Sequence, residues 1–246
     1  MALMKFCCIA LLSSAVTACG GGNGSSAPVK TYGFVAPPVN SQRMYSRTII
    51  DNSSNTINET VRHTTTAANP DGSYVVVQDD PSKNSVTVNG TTYSIQTETI
   101  NLNNFGQATS STFTPAGGTL ITCTVAPHGA GPDYPLVIGK TWSLAYVVTC
   151  GTTSGTASQT NYSQTGTVIG VESVTVPAGT FSAVKLQSTI SWTNSNGTTF
   201  TNTETNWRDS NTGISVKVLI STSYSGTPPL HGYAVTTTEE LQTGVP

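Results

Sequence analysis

Charged residues are scarce in this chain of 246 residues. Asp, Glu, Lys and Arg make up 9% of it, against about 25% in an average soluble domain. The 12 acidic residues outnumber the 10 basic ones, and the basic residues form no run or cluster. Because nucleic-acid binding depends on phosphate contacts from Lys and Arg, the sequence gives no basis for a nucleic-acid partner. The polar surface must consist mainly of hydroxyl and amide groups.

Helical periodicity is also lacking, since no stretch repeats apolar residues every 3.6 positions between recognisable caps. The apolar run from Phe6 to Ala15 is shorter than the ~20 residues that a membrane-spanning helix needs. It follows a short segment that contains Lys5, an arrangement typical of a secretory signal peptide. We therefore predict that residues 1–18 are a signal peptide.

The signal is followed directly by a cysteine, in the segment Val16-Thr17-Ala18-Cys19. This segment resembles the lipobox of bacterial lipoprotein precursors, in which an aliphatic residue and two small residues precede a Cys. The resemblance implies that Cys19 is lipidated, becomes the first residue of the mature chain and anchors it to a membrane. Gly20 implies the outer membrane, without deciding which face. The alternative is an ordinary signal peptide cleaved after Ala18, with Cys19 left as a free thiol.

A flexible tether is predicted after the lipidated cysteine. Residues 20–28, GGGNGSSAP, have the composition of a random-coil linker, which at roughly 5–6 Å × √n holds a domain about 15–20 Å from the bilayer. Several acyl chains bind a membrane stably where one does not, so a triacylated Cys19 would keep the protein in place. Residues 19–28 are thus the anchor and tether. Residues 29–246 form a β-rich envelope domain, or two halves divided near residues 115–135.

Few cysteines remain once the signal is removed. Of the five, Cys7 and Cys8 leave with the signal and Cys19 carries the lipid, which leaves Cys123 and Cys150. In the oxidising envelope these two are predicted to form a disulfide that closes a loop of about 27 residues. A metal or redox pair is the alternative, but the sequence lacks both C-x-x-C spacing and neighbouring His ligands.

Catalytic motifs are missing as well. Gly139-Lys140-Thr141 has Tyr134 where a phosphate-binding loop needs its first Gly, and Gly151 to Gly155 has the wrong spacing for a nucleophile elbow. The three His residues are far apart and none has metal-ligand spacing, so neither a metal nor a cofactor is predicted. One hypothesis for a site remains. His128, Asp133 and Tyr134 share a loop rich in Pro and Gly, and loops on rigid sheets commonly host sites.

Strand signals begin at about residue 42, where β-branched and aromatic residues alternate with Thr, Ser and Asn. Asn89-Gly90 between two alternating runs predicts a hairpin over residues 85–95 with a type I′ turn. A second hairpin is predicted at Thr180–Trp192 and Thr198–Trp207. Its first strand has one buried and one solvated face, because four apolar side chains share one parity. These are Val184, Leu186, Ile190 and Trp192.

The remaining strand predictions complete an antiparallel meander. They cover residues 42–50, 56–66, 73–78, 92–102, 119–125, 141–149, 162–176, 213–224 and 232–241. We therefore expect an all-β fold with little helix. A curved sheet, a half-open barrel and a sandwich all fit this pattern, and the sequence leaves the choice among them open.

Several segments of the C-terminal half form a recognisable pattern. They are Gly139-Lys-Thr-Trp142, Gly166 to Leu186 with the centre V-T-V-P-A-G-T-F, Trp207 and Gly213-Ile-Ser-Val-Lys217. Together they resemble a domain that recurs in uncharacterised bacterial envelope lipoproteins. The resemblance implies a β-rich fold with a distant likeness to the half-barrel of the lipoprotein carriers LolA and LolB. It implies no catalytic residues.

These observations favour a membrane-anchored envelope protein that binds a ligand or partner without catalysis. One alternative is a carrier of lipid or another hydrophobic ligand, because a curved sheet with an apolar face could enclose acyl chains. Another is an enzyme with an unrecognised site. The expected partners are the membrane, through the lipid anchor, and either an envelope protein or a hydrophobic ligand.

Overall fold

The computed structural model describes residues 28–81, 86–88, 91–93, 97–115, 118–152, 155, 157–227 and 234–244. The predicted signal peptide, Cys19 with the tether up to residue 27, and the Asn89-Gly90 turn lie outside the described residues. The described part of the chain contains strands and turns, and no helix in it is long and apolar enough to cross a membrane.

The described chain contains fourteen strands, most of them joined by short connections. In order they are β1 (Gln42–Asp51), β2 (Thr56–Ala68), β3 (Tyr74–Asp79), β4 (Val86–Val88), β5 (Thr91–Tyr93), β6 (Glu98–Leu102), β7 (Ala108–Phe113), β8 (Ile121–Ala126), β9 (Thr141–Thr152), β10 (Ser158–Val176), β11 (Gly179–Thr193), β12 (Thr198–Asp209), β13 (Ser215–Gly226) and β14 (Ala234–Thr243).

Twelve of these strands form a closed antiparallel barrel in the order β1-β14-β13-β12-β11-β10-β9-β8-β7-β6-β3-β2. The pairing of β1 with both β14 and β2 closes the wall, so the barrel has no unpaired edge strand. The predicted all-β antiparallel meander is confirmed, and the sheet closes completely. The strands of the predicted 85–95 hairpin, β4 and β5, pair as a separate two-stranded sheet.

Strands on both sides of residues 115–135 belong to the same wall, because β7 pairs with β8 and β8 pairs with β9. The predicted division into two halves therefore falls within one closed sheet. Strand β7 is absent from the strands predicted from the sequence. Its sequence, ATSSTF, carries one large apolar side chain, so the alternation that marks a strand is weak there.

Side chains alternate between the interior and the exterior of the barrel along each strand. In β11, Val184, Leu186 and Ile190 are buried, whereas Lys185 lies on the opposite face with its ammonium group over the Trp207 ring. The two-faced pattern predicted for this strand is thus confirmed.

A hydrophobic plug closes one end of the barrel. The segment that precedes β1 meets the loop between β8 and β9 there, and Tyr32 and Leu136 exchange backbone hydrogen bonds of 2.9 and 2.8 Å. Both side chains are buried together with Val168, Val184 and Leu186 from the wall. The plug separates the interior at this end from solvent.

The hairpin formed by β10 and β11 covers the same end. These are the longest strands, and the backbone N–H of Ala178 in their turn donates to the Leu241 carbonyl at 3.1 Å. Val174 and Val176 pack against Tyr45 and Leu241. The V-T-V-P-A-G-T-F segment therefore contributes to the hydrophobic core.

The predicted disulfide joins Cys123 and Cys150, which lie directly opposite each other in β8 and β9. Cys150 shares a face of β9 with the buried Tyr146, four residues earlier. The disulfide therefore links the two strands on the interior face of the wall.

Candidate functional site: a charged cavity inside the barrel

The barrel contains a cavity of about 190 Å³. Seven consecutive strands of the wall line it, from β6 through β3, β2, β1, β14 and β13 to β12, and Phe34 of the plug contributes from the end. Aliphatic side chains alternate with polar and aromatic ones in the lining. The polar and aromatic residues that the strands contribute include Arg43, Tyr45, His63, Tyr74, Arg208 and Glu239.

The Glu239 carboxylate is neutralised within the barrel. Arg47 donates from Nε and Nη2 to Glu239 Oε2 at 2.9 and 2.8 Å, and its Nη1 lies 3.8 Å from the Glu59 carboxylate. Burial raises the pKa of Glu59, and the charge of Arg47 opposes that shift. Arg47 is thus a cation shared by two carboxylates on this side of the interior, and its hydrogen bonds go to Glu239.

Arg43 has no such partner. Only 4% of the residue is exposed, and its buried Nε has no hydrogen-bond partner. Within the described ranges no carboxylate lies within 4 Å of its guanidinium group. Arginine remains protonated in proteins and carries five N–H donors. The cavity wall therefore contains a buried cation whose charge nothing in the described chain balances directly.

Arg208 is held by a tyrosine hydroxyl. Its Nη1 donates to the Tyr134 hydroxyl at 2.8 Å, and that hydroxyl donates to the Gly213 carbonyl at 3.2 Å. Burial acts to lower the pKa of Arg208, but the interactions with Tyr134 and Glu204 outweigh it and raise the pKa. Its buried Nε has no hydrogen-bond partner. Arg208 is therefore a second cation at the same cavity.

Tyr74 and His63 are neutral neighbours of these cations. Burial raises the pKa of Tyr74 to about 12, and Arg43 and Arg208 both oppose this shift, so both guanidinium groups act on the same phenol. His63 Nε2 lies 3.0 Å from Gln78 Oε1, and burial lowers the pKa of the His63 ring. At neutral pH the positive charge at the cavity comes from the arginines.

An aromatic row crosses the interior beyond the cavity. Five rings from β9 to β13 occupy directly paired positions, with successive centroids 4.9, 5.5, 5.3 and 6.4 Å apart. Phe200 shares its face of β12 with Arg208, eight residues later, which places the row inside the barrel. The rings belong to Tyr146, Tyr162, Trp192, Phe200 and Tyr224.

The loop residues predicted as a site are partly brought together. His128 Nε2 lies 3.8 Å from Asp133 Oδ1, and His128 Nδ1 lies 2.9 Å from the Gly129 carbonyl. Asp133 is largely exposed. Tyr134 instead reaches Arg208 at the cavity. Among the described residues no group of three or more His, Cys, Asp or Glu could hold a metal ion.

The residues that line the cavity are not among the site residues predicted from the sequence. A signal was present in β1, where Arg43, Tyr45 and Arg47 share one parity. In a chain with so little charge, two arginines on the same strand face as a buried aromatic residue indicate a polar interior. The usual assumption that charged side chains point to solvent hid this pattern.

Together the fold and the cavity define a closed all-β barrel protein with a charged internal site. A similar solved structure is that of a Bacteroides fragilis protein named as an exported protein with a YmcC-like fold. Its TM-score is 0.51 and its identity 12%, with 87% of this chain and 99% of that chain covered. This likeness shows that the chain shares the YmcC-like fold.

Two further solved structures match over most of their length. The hypothetical lipoprotein YmcC of Escherichia coli has a TM-score of 0.42 and 11% identity, with 85% of this chain and 86% of that one covered. A Parabacteroides distasonis protein named as a lipoprotein has a TM-score of 0.46 and 16% identity, with coverage of 87% and 98%. No family model matches this chain, and no curated protein matches it.

Proposed function

We propose that this protein is a lipid-anchored component of the bacterial cell envelope that binds a small ligand inside its barrel and catalyses no reaction. The cavity carries this proposal, because Arg43 and Arg208 line it, neither forms an ion pair with a described carboxylate, and each has a buried Nε without a hydrogen-bond partner. Buried donors without partners cost free energy. Their presence in a protein is therefore explained best by a ligand that binds them.

The envelope location is supported by the sequence and by one comparison. The lipobox-like segment ends at Cys19, and the tether of residues 20–28 separates it from the barrel. The similar Bacteroides fragilis protein is named as exported. We propose the outer membrane because Gly20 follows the lipidated cysteine.

The cavity disfavours a carrier of long acyl chains. Its volume of about 190 Å³ is below the range of about 300–1,000 Å³ that is usual for drug-sized ligands. An acyl chain beside Arg43 and Arg208 would also leave their donors unsatisfied. The ligand we propose is small and polar.

Native mass spectrometry tests this proposal. The full chain, expressed in a bacterium with its own signal and extracted from membranes in mild detergent, is compared with its denatured mass. We expect an acylated chain in the denatured spectrum and an additional small mass in the native one. Cys19→Ala is the control for the anchor and should leave the membrane fraction.

Two results would contradict the proposal. One is a native mass without any addition, combined with no change in melting temperature across a panel of small polar metabolites. The other is a substrate turnover that disappears in a single variant such as His128→Ala, because it would show catalysis.

A further inference from the structure

We infer that the cavity is a specific site for an oxyanion, a carboxylate or phosphate group, held by Arg43 and Arg208. The inference rests on the proposed function and names the chemical class of the ligand. It depends on three observations: the two arginines line one cavity, each has a buried Nε without a partner, and the neighbouring carboxylate is already bound.

The charges at the cavity favour an anion. Glu239 lines it, but its Oε2 accepts two hydrogen bonds from Arg47. Arg208 donates to the hydroxyl of Tyr134, and Arg43 has no ion-pair partner among the described residues. The charged residues of the lining are thus two arginines and one glutamate, which leaves one net positive charge at the cavity.

The chemistry of arginine indicates which anions the cavity would bind. A lysine in this position could lose its proton to relieve the penalty of burial, whereas an arginine remains charged. Its planar fork of N–H groups matches the two oxygens of a carboxylate or phosphate. Tyr134, fixed by its hydrogen bond to Gly213, holds Arg208 in place before a ligand binds, which reduces the entropy lost on binding.

The size of the cavity limits the ligand. The cavity volume of about 190 Å³ is below the roughly 300 Å³ at the lower end of sites for drug-sized ligands. The aliphatic side chains of Val76, Ile100 and Val218 supply an apolar wall for the remainder of the molecule. A short-chain carboxylic acid or a small phosphate ester fits this description. The oxyanion could also be the headgroup of an anionic lipid.

Isothermal titration of the full-length protein in neutral detergent tests the inference. The free probes are butyrate and inorganic phosphate, and phosphatidic acid in mixed micelles represents the lipid source. We expect at least one probe to bind, and Arg43→Met and Arg208→Met each to weaken its binding at least tenfold. Arg62→Met is the matched control, because Arg62 lies one position from His63 on the outer face and pairs with Asp79. The Arg62→Met variant should bind the probe with the affinity of the wild type.

The results of these titrations distinguish a soluble oxyanion from a lipid headgroup, and they test the oxyanion inference separately from the proposed function. Arginine-dependent binding of a free probe identifies a soluble oxyanion, and binding of phosphatidic acid alone identifies a lipid headgroup. Absence of binding by all three probes, or equal binding by wild type and both Met variants, overturns the inference. If a neutral molecule copurifies in the native spectrum while the oxyanions fail to bind, the proposed function survives and this inference does not.

Two further measurements test the inference even if the Met variants do not fold. Arg43→Lys keeps an N–H donor at this position but loses the planar fork and can lose its proton on burial, so it should fold and bind the probe more weakly than the wild type and more tightly than Arg43→Met. In the wild-type protein, the NMR signals of the Nε–H groups of Arg43 and Arg208 should shift when the probe binds. Unshifted signals at a saturating probe concentration contradict the inference without any substitution.

Discussion

The Trp142 ring lies over the backbone of Gly166, its directly paired neighbour in the barrel wall. A Cβ at Gly166 would overlap the ring, and Trp142 itself packs against the plug residues Tyr32 and Leu136. We therefore expect Gly166→Ala to lower the free energy of unfolding by about 1–3 kcal/mol through overpacking. Urea denaturation followed by fluorescence measures this change.

Gly170→Ala is the control for this prediction. Gly170 lies in the same strand, and a Cβ there meets nothing within 4 Å. Its substitution should leave stability unchanged or raise it slightly, because Ala restricts the unfolded chain. Equal losses in the two variants would show that backbone freedom, and not the Trp142 contact, sets the cost.

Glu239 and Glu240 form ion pairs on opposite faces of β14. Glu239 bonds Arg47 inside the barrel, whereas Glu240 lies 2.7 Å from Lys217 on the outside. Double-mutant cycles with Arg47→Met and Glu239→Gln should give a coupling energy of about 1–3 kcal/mol, the range for hydrogen bonds to charged groups. The cycle for Lys217→Met and Glu240→Gln should give about 0–1 kcal/mol.

Salt distinguishes the two pairs further. Dissolved ions screen exposed pairs more than partly buried ones, so added sodium chloride should reduce the Lys217–Glu240 coupling more than the Arg47–Glu239 coupling. The same salt dependence for both pairs would mean that the interior is as accessible to ions as the outer surface.

The disulfide should contribute strongly to stability. A cross-link that closes a 27-residue separation is worth about 3–4 kcal/mol in the chain-entropy model. Replacing both Cys123 and Cys150 by Ser should lower the free energy of unfolding by this amount, measured by urea denaturation. The wild-type protein under reducing conditions is the control and should lose the same amount. A loss below about 1 kcal/mol would exclude the entropic explanation.

His63 should make stability depend on pH. Burial lowers its pKa in the folded protein, while Glu239, Arg43 and Arg47 also act on the ring. The unfolded chain therefore binds a proton first as the pH falls below about 6.5. The neutral His63 ring therefore contributes fully to the free energy of unfolding above about pH 6.5. That contribution is lost as the pH falls towards the lower pKa of His63 in the folded protein. The slope is at most about 1.4 kcal/mol per pH unit.

Comparison with His63→Gln isolates this effect. The raised pKa of Glu59 acts in the opposite direction, but it contributes to both proteins and largely cancels in the difference. Between pH 7 and pH 5 the wild-type protein should lose more stability than the variant. If the free energy of unfolding changed with pH equally in both proteins, the His63 ring would have the same pKa in the folded and the unfolded state.

Much of the fold could be predicted from local patterns. Alternation in Thr180–Trp192 identified β11 and its buried face, and two cysteines left after the signal identified the disulfide. The short strand β7 was missed, because ATSSTF lacks the alternation that marks a buried face. The candidate site was assigned to the His128 loop, of which Tyr134 alone contacts the cavity through Arg208. The arginines of that cavity looked like ordinary surface residues.

The sequence by itself determined the strand pattern and the segment that predicts a lipid anchor at Cys19, because each depends on residues close together or on a short motif. It left Cys123 and Cys150 as the disulfide partners by elimination. Tertiary structure alone decided that the sheet closes, since β1 meets β14 across nearly the whole chain. It also decided that Arg43 and Arg208 share one cavity. They are distant in sequence, and alternation along a strand shows which side chains share a face but not which face becomes the inside of a barrel.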